Sequence, residues 1–331
     1  MQRDRTRPRE TTAGTGVPTL IAEASIATND VDELFSWAHG WDFEIFQLSP
    51  GPLGYRSRTV QLPGLRLNWE CSAQRLRGRH RMRQDSLFVS LAIAAVRPPV
   101  WKGCAVAANQ LLVFGADEHE LVTPEGMRGL NIEVAPALLD AWGLQAPPGG
   151  LLDIAPAAMG RLLIACRRAR DLIGEAAEPP TATAVHAARE HILGRLIEAL
   201  LSGGGVAVAP VAVMSTSDAR RFGLVKRAEA AALRSGPEFD VAELADELHT
   251  SRRTLHRAIK DWSGIGPQAY FQILRLHRFR RRLLLGRSDE PITAVAYSLG
   301  FENMGRLAQL YRRFFGELPS QTRGHVKQLI R

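Results

Sequence analysis

Apolar positions repeat with helical spacing in the last third of the chain, and one unit of this pattern occurs twice. Val241, Leu244, Ala245 and Leu248 follow the i, i+3, i+4, i+7 spacing of a helix buried on one side, and the pattern recurs 51 positions later. Beyond the next turn the offset becomes 52, and it pairs Leu255 with Leu307, Ile259 with Tyr311, Trp262 with Phe314, Gly264 with Gly316 and Pro267 with Pro319. A duplication of this length indicates a repeated supersecondary unit.

Each unit is predicted to form a short helix, a tight turn and a second helix. Ser251 suits the N-cap of a helix that ends near Ser263, and Pro291 suits the first position of a helix that ends before Gly300. Between the units, Pro267 can begin a long connecting helix through residue 285. We expect this rigid connection to separate the two second helices by about 34 Å, one turn of duplex DNA.

The first 200 residues follow a different pattern. Residues 20–135 consist of short apolar or alternating runs separated by turn residues, which is typical of an antiparallel sandwich or barrel. Helical spacing returns between about residues 136 and 200, and a glycine-rich stretch follows. We therefore predict a loose tail over residues 1–18, a β-rich domain over 19–201, a linker over 202–218 and a helical domain over 219–325.

The positive charge of the chain is concentrated in its last third. The formal net charge of the 331 residues is +8. Residues 218–331 contain 21 Lys and Arg against 12 Asp and Glu, a net of +9, which leaves −1 for the rest. This asymmetry indicates a polyanion-binding module joined to a nearly neutral domain. The alternative is a basic surface that is merely solvated.

The second helix of the first unit carries the strongest candidate site. Its apolar stripe leaves an opposite face of donors that can reach phosphates and base edges in a major groove. The residues of this face are Ser251, Arg252, Arg253, His256, Arg257 and Lys260. The connecting helix carries further arginines, which cannot all share one helix face, so we expect some to contact phosphate or an acidic neighbour. They are Arg278, Arg280, Arg281 and Arg282.

Over roughly residues 220–323 the sequence resembles the AraC family of bacterial transcription regulators. The motifs are LADELHTSRRTLHRAIKDWSGIGPQAYF, LRLHRFRRRLL and ITAVAYSLGFENMGRLAQLYRRFFGELPSQTR. The resemblance implies a bipartite, all-α DNA-binding domain with two helix-turn-helix units in adjacent major grooves. It also implies control of transcription, more often activation than repression, with double-stranded DNA and RNA polymerase as partners.

Carried over by position, the resemblance assigns base reading in the first unit mainly to Arg253, His256 and Arg257. The matching positions of the second unit are Met304, Gly305, Ala308 and Gln309, with Arg306 nearby. Here the chain departs from the usual pattern, because Gly305 and Ala308 offer a base few hydrogen bonds. Asn303 suits a cap, and Arg312 and Arg313 suit phosphate contacts. We infer that the first unit specifies sequence and that the second mostly positions the protein on the backbone.

The resemblance also implies the fold class of the remaining chain. In this family the amino-terminal half commonly looks like a cupin-like antiparallel β-barrel followed by helices, so the whole chain is predicted to be α+β. Such a domain senses a small-molecule effector or dimerises, and we expect a homodimer through the helices of residues 156–200. The segments FEIFQLSPGPLGY, WKG and LVTPEG weakly resemble regulators of the ethanolamine-operon type, which names neither the effector nor its pocket residues.

The sequence predicts no catalytic residue, no metal site and no cofactor. The histidines of the first half form no His-x-His pair, and Cys71, Cys104 and Cys166 lack metal or redox spacing. Two other classes stay open: a cupin-type enzyme with a DNA-binding tail, and an architectural protein indifferent to DNA sequence. A polar start and the absence of a run of about 20 apolar residues argue against secretion and membrane insertion, so we expect a cytoplasmic protein.

The run RLRGRHRMR places five arginines two residues apart, from Arg75 to Arg83. An unbroken strand would put all five on one face. One interpretation is a binding patch for an anionic effector or partner. The favoured one is a partly looped edge strand, with a turn at Gly78–His80, whose charges discourage aggregation.

Overall fold

A computed structural model describes the chain in nine ranges: 22–36, 41–82, 86–115, 118–143, 149–174, 179–202, 215–234, 240–286 and 289–329. The predicted tail over residues 1–18 and most of the predicted linker lie outside these ranges. The end of that linker, residues 216–218, is the first turn of a helix that begins at Thr216.

Alternating side chains in the amino-terminal half build two antiparallel sheets. The larger sheet has the strand order β1-β3-β4-β11-β6-β9-β12. Its strands are β1 (Ala22–Thr28), β3 (Tyr55–Leu62), β4 (Leu65–Cys71), β6 (Leu87–Ala94), β9 (Gln110–Phe114), β11 (Arg128–Val134) and β12 (Gly150–Asp153). The smaller sheet has the order β2-β5-β10-β7-β8. Its strands are β2 (Trp41–Gln47), β5 (Leu76–Met82), β7 (Val100–Trp101), β8 (Cys104–Ala105) and β10 (His119–Thr123).

The antiparallel prediction is confirmed, but the predicted cupin-like barrel is not closed. Within the described ranges no ladder of hydrogen bonds joins the seven-stranded sheet to the five-stranded one, so the domain is a two-sheet sandwich. The alternation of apolar and polar residues sets which side of a strand is buried. It carries no information on whether the outer strands of two sheets pair, which is why the sequence did not distinguish the two architectures.

One face of the seven-stranded sheet packs against helices. It presents fully buried aliphatic residues such as Val60, Leu67, Val89 and Ile132. The covering helices are α2 (Pro156–Gly174) and α3 (Ala182–Ser202), which follow the short helix α1 (Pro136–Ala141). Burial of this apolar face stabilises the domain by the removal of its surface from water. The other face of the sheet is turned toward the five-stranded sheet.

The carboxy-terminal part is entirely helical where the structure describes it. Its helices are α4 (Thr216–Arg234), α5 (Val241–Glu247), α6 (Arg252–Ser263), α7 (Pro267–Leu285), α8 (Ile292–Ser298), α9 (Met304–Phe315) and α10 (Pro319–Leu329). The pairs α5–α6 and α8–α9 correspond to the two units of the sequence repeat. No helix among the described residues is long and apolar enough to cross a membrane.

Helix α7 joins the two pairs through their cores. Its amino-terminal half, with Tyr270 and Phe271, packs with Leu255, Ile259 and Trp262 of α6. Its carboxy-terminal half, with Leu276, Phe279 and Leu283, packs with Leu307, Tyr311 and Phe314 of α9. The repeat positions identified in the sequence are therefore buried in two equivalent cores. Because α7 takes part in both, it connects the pairs without a flexible hinge.

Candidate nucleic-acid interface and internal cavity

Helix α6 is capped at both ends and exposes the predicted basic face. The Ser251 hydroxyl accepts a hydrogen bond from the Thr254 amide, and the left-handed Gly264 (φ 77°) ends the helix. The stripe of Leu255, Ala258, Ile259 and Trp262 is buried. The predicted DNA contacts lie opposite this stripe, and all are exposed: Ser251, Arg252, Arg253, His256, Arg257 and Lys260.

The basic face of α6 is accessible to a polyanion. The structure records one ion pair there among the described residues, between Arg257 Nε and Asp261 Oδ2 at 3.6 Å. The side chains are 74% and 50% exposed, and an ion pair in water contributes little free energy. Arg257 can therefore exchange Asp261 for a phosphate or a guanine edge at small cost.

Helix α9 repeats the end geometry of α6. The Asn303 carboxamide accepts from the Arg306 amide, and Gly316 ends the helix with φ 78°, within one degree of Gly264. Five of the residues predicted to contact DNA in this unit are exposed: Asn303, Arg306, Gln309, Arg312 and Arg313. Met304 is only half-exposed, because it packs against the second core. The polar groups of α9 are thus sparser near its start than those of α6.

The arginines of α7 pair with acidic side chains. Arg280 is buried and binds Asp30 and Asp32 of the β1–β2 connection together with Glu317, which follows α9. Arg281 pairs with Glu44 at 2.7 Å, and Arg282 pairs with Glu290 at 2.9 Å. Arg278 is exposed. Phosphate and an acidic neighbour were the two expected partners. Three of the four arginines have an acidic neighbour.

The run from Arg75 forms an interior strand, so the favoured interpretation of that run is wrong. Strand β5 is continuous, and β2 and β10 pair with it on its two sides. No turn forms at Gly78, where a Cβ would lie within van der Waals overlap of the His80 ring. A glycine at this position therefore makes room for a buried histidine inside an unbroken strand.

Arg77 of this strand connects the sandwich to the helices through a buried network. Its guanidinium donates to Glu120 Oε2 and Glu229 Oε2, each at 2.9 Å, and to the Tyr270 hydroxyl at 2.8 Å. Lys226 of α4 also binds Glu120. Burial alone raises the pKa of Glu120, but Arg77 and Lys226 outweigh it and hold this pKa below its usual value. The network is charge-balanced, with two cations and two carboxylates.

A cavity of about 280 Å³ lies between the two sheets. A row of four polar side chains crosses the wall formed by the seven-stranded sheet: Thr59, Asn68, Asn131 and Ser90. Aromatic side chains, among them Phe43 and Phe114, also line the cavity. The sequence did not identify this site. Each strand alternates apolar and polar residues, and the polar residues of such a strand normally face solvent and not a cavity.

Two carboxylates of the cavity wall differ in their partners. Glu133 forms an ion pair with Arg66 at 3.1 Å, whereas Glu70 accepts a hydrogen bond from the Tyr55 hydroxyl at 2.9 Å. Among the described residues no Lys or Arg pairs with Glu70. Burial lowers the pKa of the cavity-lining His80 to about 4, so its ring is neutral near pH 7. The wall therefore carries a net negative charge at Glu70.

A single layer, the five-stranded sheet, separates the cavity from the helical part. Ile45, Leu76 and Leu121 line the cavity. The residue after each of them faces the other way: Phe46 and Val122 pack in the first helical core, and Arg77 enters the network with Glu229. Successive side chains of a strand point to opposite faces, and here both faces are buried.

Two of the three cysteines have raised thiol pKa values. The three cysteines are free, and burial raises the pKa of Cys104 to about 11 and that of Cys166 to about 12. These two thiols are protonated near neutral pH and are poor nucleophiles. No group of three or more His, Cys, Asp or Glu residues with metal-binding geometry occurs in the described ranges.

Comparison with known proteins gives matches in the helical part. Residues 244–325 match the family model of a helix-turn-helix domain. The chain is 41% identical over 80 residues to the HTH-type transcriptional activator RhaS of Escherichia fergusonii, which is 24% of this chain and 28% of that protein. It is 37% identical over 86 residues to RhaS of Pectobacterium carotovorum, covering 26% and 30% of the two chains. These alignments span less than a third of the relatives' own length.

Among solved structures, a transcriptional regulator with an AraC-type DNA-binding domain from Chromobacterium violaceum aligns with 32% of this chain and 94% of its own. The identity is 25% and the TM-score is 0.30.

Proposed function

We propose, from the match of residues 244–325 to a helix-turn-helix domain, that the chain is a sequence-specific DNA-binding regulator of transcription of the AraC family type. The observation that supports this most directly is the exposed face of α6. It combines four cationic side chains and a histidine on the side opposite a buried apolar stripe. A helix of this kind suits the major groove of duplex DNA.

In the proposed complex, α6 lies in one major groove and reads base edges with Arg253, His256 and Arg257. Arginine is suited to this role, because its guanidinium can donate two parallel hydrogen bonds to guanine O6 and N7. Arg252 and Lys260 lie on the same exposed face and bind phosphates. The domain limits at residues 19–201 and 219–325 remain part of this proposal.

Helix α9 enters the next major groove and mainly positions the protein. Gly305 and Ala308 have no side-chain donors, so base contacts there are limited to Gln309 and Arg306. Arg312 and Arg313 lie in the last turn, where both are exposed and suited to phosphate. Phosphate contacts fix orientation on the duplex and carry no sequence information of their own.

The two roles are tested by comparing Arg257→Ala with Arg312→Ala. Arg257→Ala should weaken binding to a selected operator by about 1–3 kcal/mol and relax preference at one position. Arg312→Ala should weaken binding to all sequences alike and reduce the slope of log K against log salt by about 1. Arg58→Ala, on strand β3 of the sandwich, removes the same charge away from the proposed interface. Unchanged affinity and preference in Arg257→Ala would refute the assignment of α6.

We also propose that the cavity between the sheets binds a small effector. Its polar row offers hydroxyl and amide groups, and its charge at Glu70 disfavours carboxylates and phosphates. The ligand is therefore a neutral or cationic polar molecule, held against aromatic faces. A thermal-shift panel of polyols, amines and carboxylates tests this. Stabilisation by a polyol or amine should disappear in Asn131→Leu, and stabilisation by carboxylates that depends on Asn131 would contradict the proposed class.

The relatives named RhaS are transcriptional activators, and we propose that this chain likewise activates transcription in the cytoplasm, with RNA polymerase as its partner. We further propose a homodimer through α2 and α3, where Ile164 and Leu201 are large apolar residues about half-exposed. Sedimentation of the full chain tests the dimer. Ile164→Glu should lower the sedimentation coefficient, and a wild-type chain that sediments as a monomer would refute this part.

A further inference from the structure

Two neighbouring parts of the sandwich, residues 47–51 and Arg75, contact the carboxy-terminal ends of α9 and α6 respectively. At the end of α9, Gln47 Nε2 and the Gly51 amide both donate to the Phe314 carbonyl, at 3.3 and 3.2 Å. At the end of α6, Arg75 Nη1 donates to the Ser263 carbonyl at 3.3 Å. The Phe314 and Ser263 carbonyls thus occupy nearly equivalent places in the two units of the repeat.

These carbonyls are natural attachment points. The last carbonyls of a helix lack partners within the helix and carry the negative end of its dipole. The Arg75 cation suits such an end, and it lies directly over the left-handed Gly264, where a Cβ would be 2.6 Å from Nη1. Gly316, at the same place in the second unit, has no atom within 4 Å of that position. The close approach of a side chain to the terminal glycine is therefore found at α6 and not at α9.

The two contacts belong to one connected piece of structure. The Leu48 amide donates to the Arg75 carbonyl at 2.7 Å, and the Arg75 amide donates to Ser49 Oγ at 2.9 Å. Gln47, Leu48 and Ser49 are buried. The Gln47 carbonyl also lies 2.8 Å from His277 Nε2 on α7. Hydrogen bonds at both ends and burial in between make this piece a rigid spacer.

We propose that residues 47–51 and Arg75 form a clamp that sets the separation and relative tilt of α6 and α9, and so the operator spacing that the protein accepts. The proposal rests on the proposed function, since it concerns how that function is tuned. Helix α7 provides one link between the two units, and the clamp provides a second link at the carboxy-terminal ends of α6 and α9. Gln47 and Arg75 are positioning residues, because they act through the ends of the helices and not on DNA.

The clamp also adjoins the cavity. Ile45 and Leu76 line the cavity, and each is close in sequence to a clamp residue, Gln47 and Arg75 respectively. A displacement of either strand therefore moves a contact at a helix end. The clamp gives the sandwich a direct route to the geometry of the two helices.

The test measures how affinity depends on operator spacing, because a merely structural role of the clamp would not change that dependence. An operator is first selected from randomised duplexes with the full-length wild-type chain, and one base pair is then inserted between its two contacted elements. Fluorescence anisotropy gives the ratio of the two dissociation constants. Wild type should lose roughly tenfold or more on insertion, the size of one lost base contact. The double variant Gln47→Ala/Arg75→Ala should lower that ratio by about threefold or more, as expected for the release of hydrogen bonds.

The matched control is Gln61→Ala/Arg58→Ala, which removes the same residue types from the β3–β4 hairpin of the sandwich and should keep the wild-type ratio. A ratio that falls by less than threefold in the clamp variant overturns the clamp, while the proposed function stands on the selected operator. If wild type selects no sequence, the proposed function fails and the clamp fails with it. Should the double variant melt below assay temperature, Arg75→Ala alone decides, because it removes the contact with the Ser263 carbonyl and leaves the buried Gln47 in place.

Discussion

The two helix-terminal glycines allow a prediction in which the chain provides its own control. Gly264 and Gly316 have the same left-handed backbone, with φ 77° and 78° and ψ 0° and −1°. Alanine in this conformation costs roughly 1 kcal/mol, because its Cβ crowds the following carbonyl. This strain should be equal at the two sites. The surroundings differ, since only a Cβ at Gly264 meets another group, the Arg75 guanidinium.

The difference between the two substitutions measures that contact. Arg75 has a flexible side chain, so it can move away from an alanine at residue 264, but it then loses its hydrogen bond to the Ser263 carbonyl. Hydrogen bonds from charged groups contribute about 1.5–3 kcal/mol, and the 3.3 Å length of this one places it at or below the lower end. We therefore expect Gly264→Ala to destabilise by about 2 kcal/mol and Gly316→Ala by about 1 kcal/mol.

Urea unfolding of the full chain gives both values from the transition midpoints. The same pair is then measured in an Arg75→Ala background, where the difference between residues 264 and 316 should vanish. Equal destabilisation in the wild-type background, within about 0.5 kcal/mol, would refute the argument. So would a difference that persists without Arg75.

Three further predictions concern other contacts. Arg280→Met should destabilise by about 3 kcal/mol in urea unfolding, because it leaves Asp30 and Asp32 facing each other unpaired, and neutralising both to Asn should recover part of the loss. Burial lowers the pKa of His277 to about 4, so the native ring stays neutral while the unfolded chain takes up a proton below about pH 6.5. Stability should therefore fall as pH drops from about 6.5 to about 4, and His277→Gln should make that fall shallower by about 1.4 kcal/mol per pH unit; an unchanged slope would contradict the assignment. Ser251→Ala removes the cap of α6 and should cost about 1 kcal/mol, whereas Thr254→Ala leaves the capped amide in place and should cost less.

The sequence predicted the helical part well because its signals are local. Ser251 at the start and Gly264 after the end defined α6, and the spacing of the repeat identified the residues of both cores. The exception is Met304, which was placed on the DNA face and is half-buried against the second core. A position near the start of a helix can serve either side, and sequence spacing does not decide between them.

Contacts between the two parts of the chain were beyond sequence reasoning. Arg77 meets Glu229 and Tyr270, which lie 152 and 193 positions away, and no periodicity reports a pairing of that range. The same holds for the cavity. Its polar wall shows in each strand as an ordinary alternation, and only the packing of two sheets encloses it. The arginine run was predicted to form a partly looped edge strand, and its interior position and buried partners could be known only from the fold.

Under the proposed effector function, the five-stranded sheet limits how the ligand preference of the cavity can change. Substitutions at Ile45, Leu76 or Leu121 would reshape the cavity, but they would also shift the neighbouring residues that hold the helices. Altered ligand preference and altered affinity for DNA would then arise together. The opposite wall, with Asn68 and Asn131, belongs to the seven-stranded sheet, whose other face packs against α2 and α3 in the described ranges, so it can change without shifting the residues that hold the helices of the DNA-binding part. Under the proposed effector function, variants selected for a new ligand should therefore accumulate changes on the seven-stranded sheet and leave the five-stranded sheet intact.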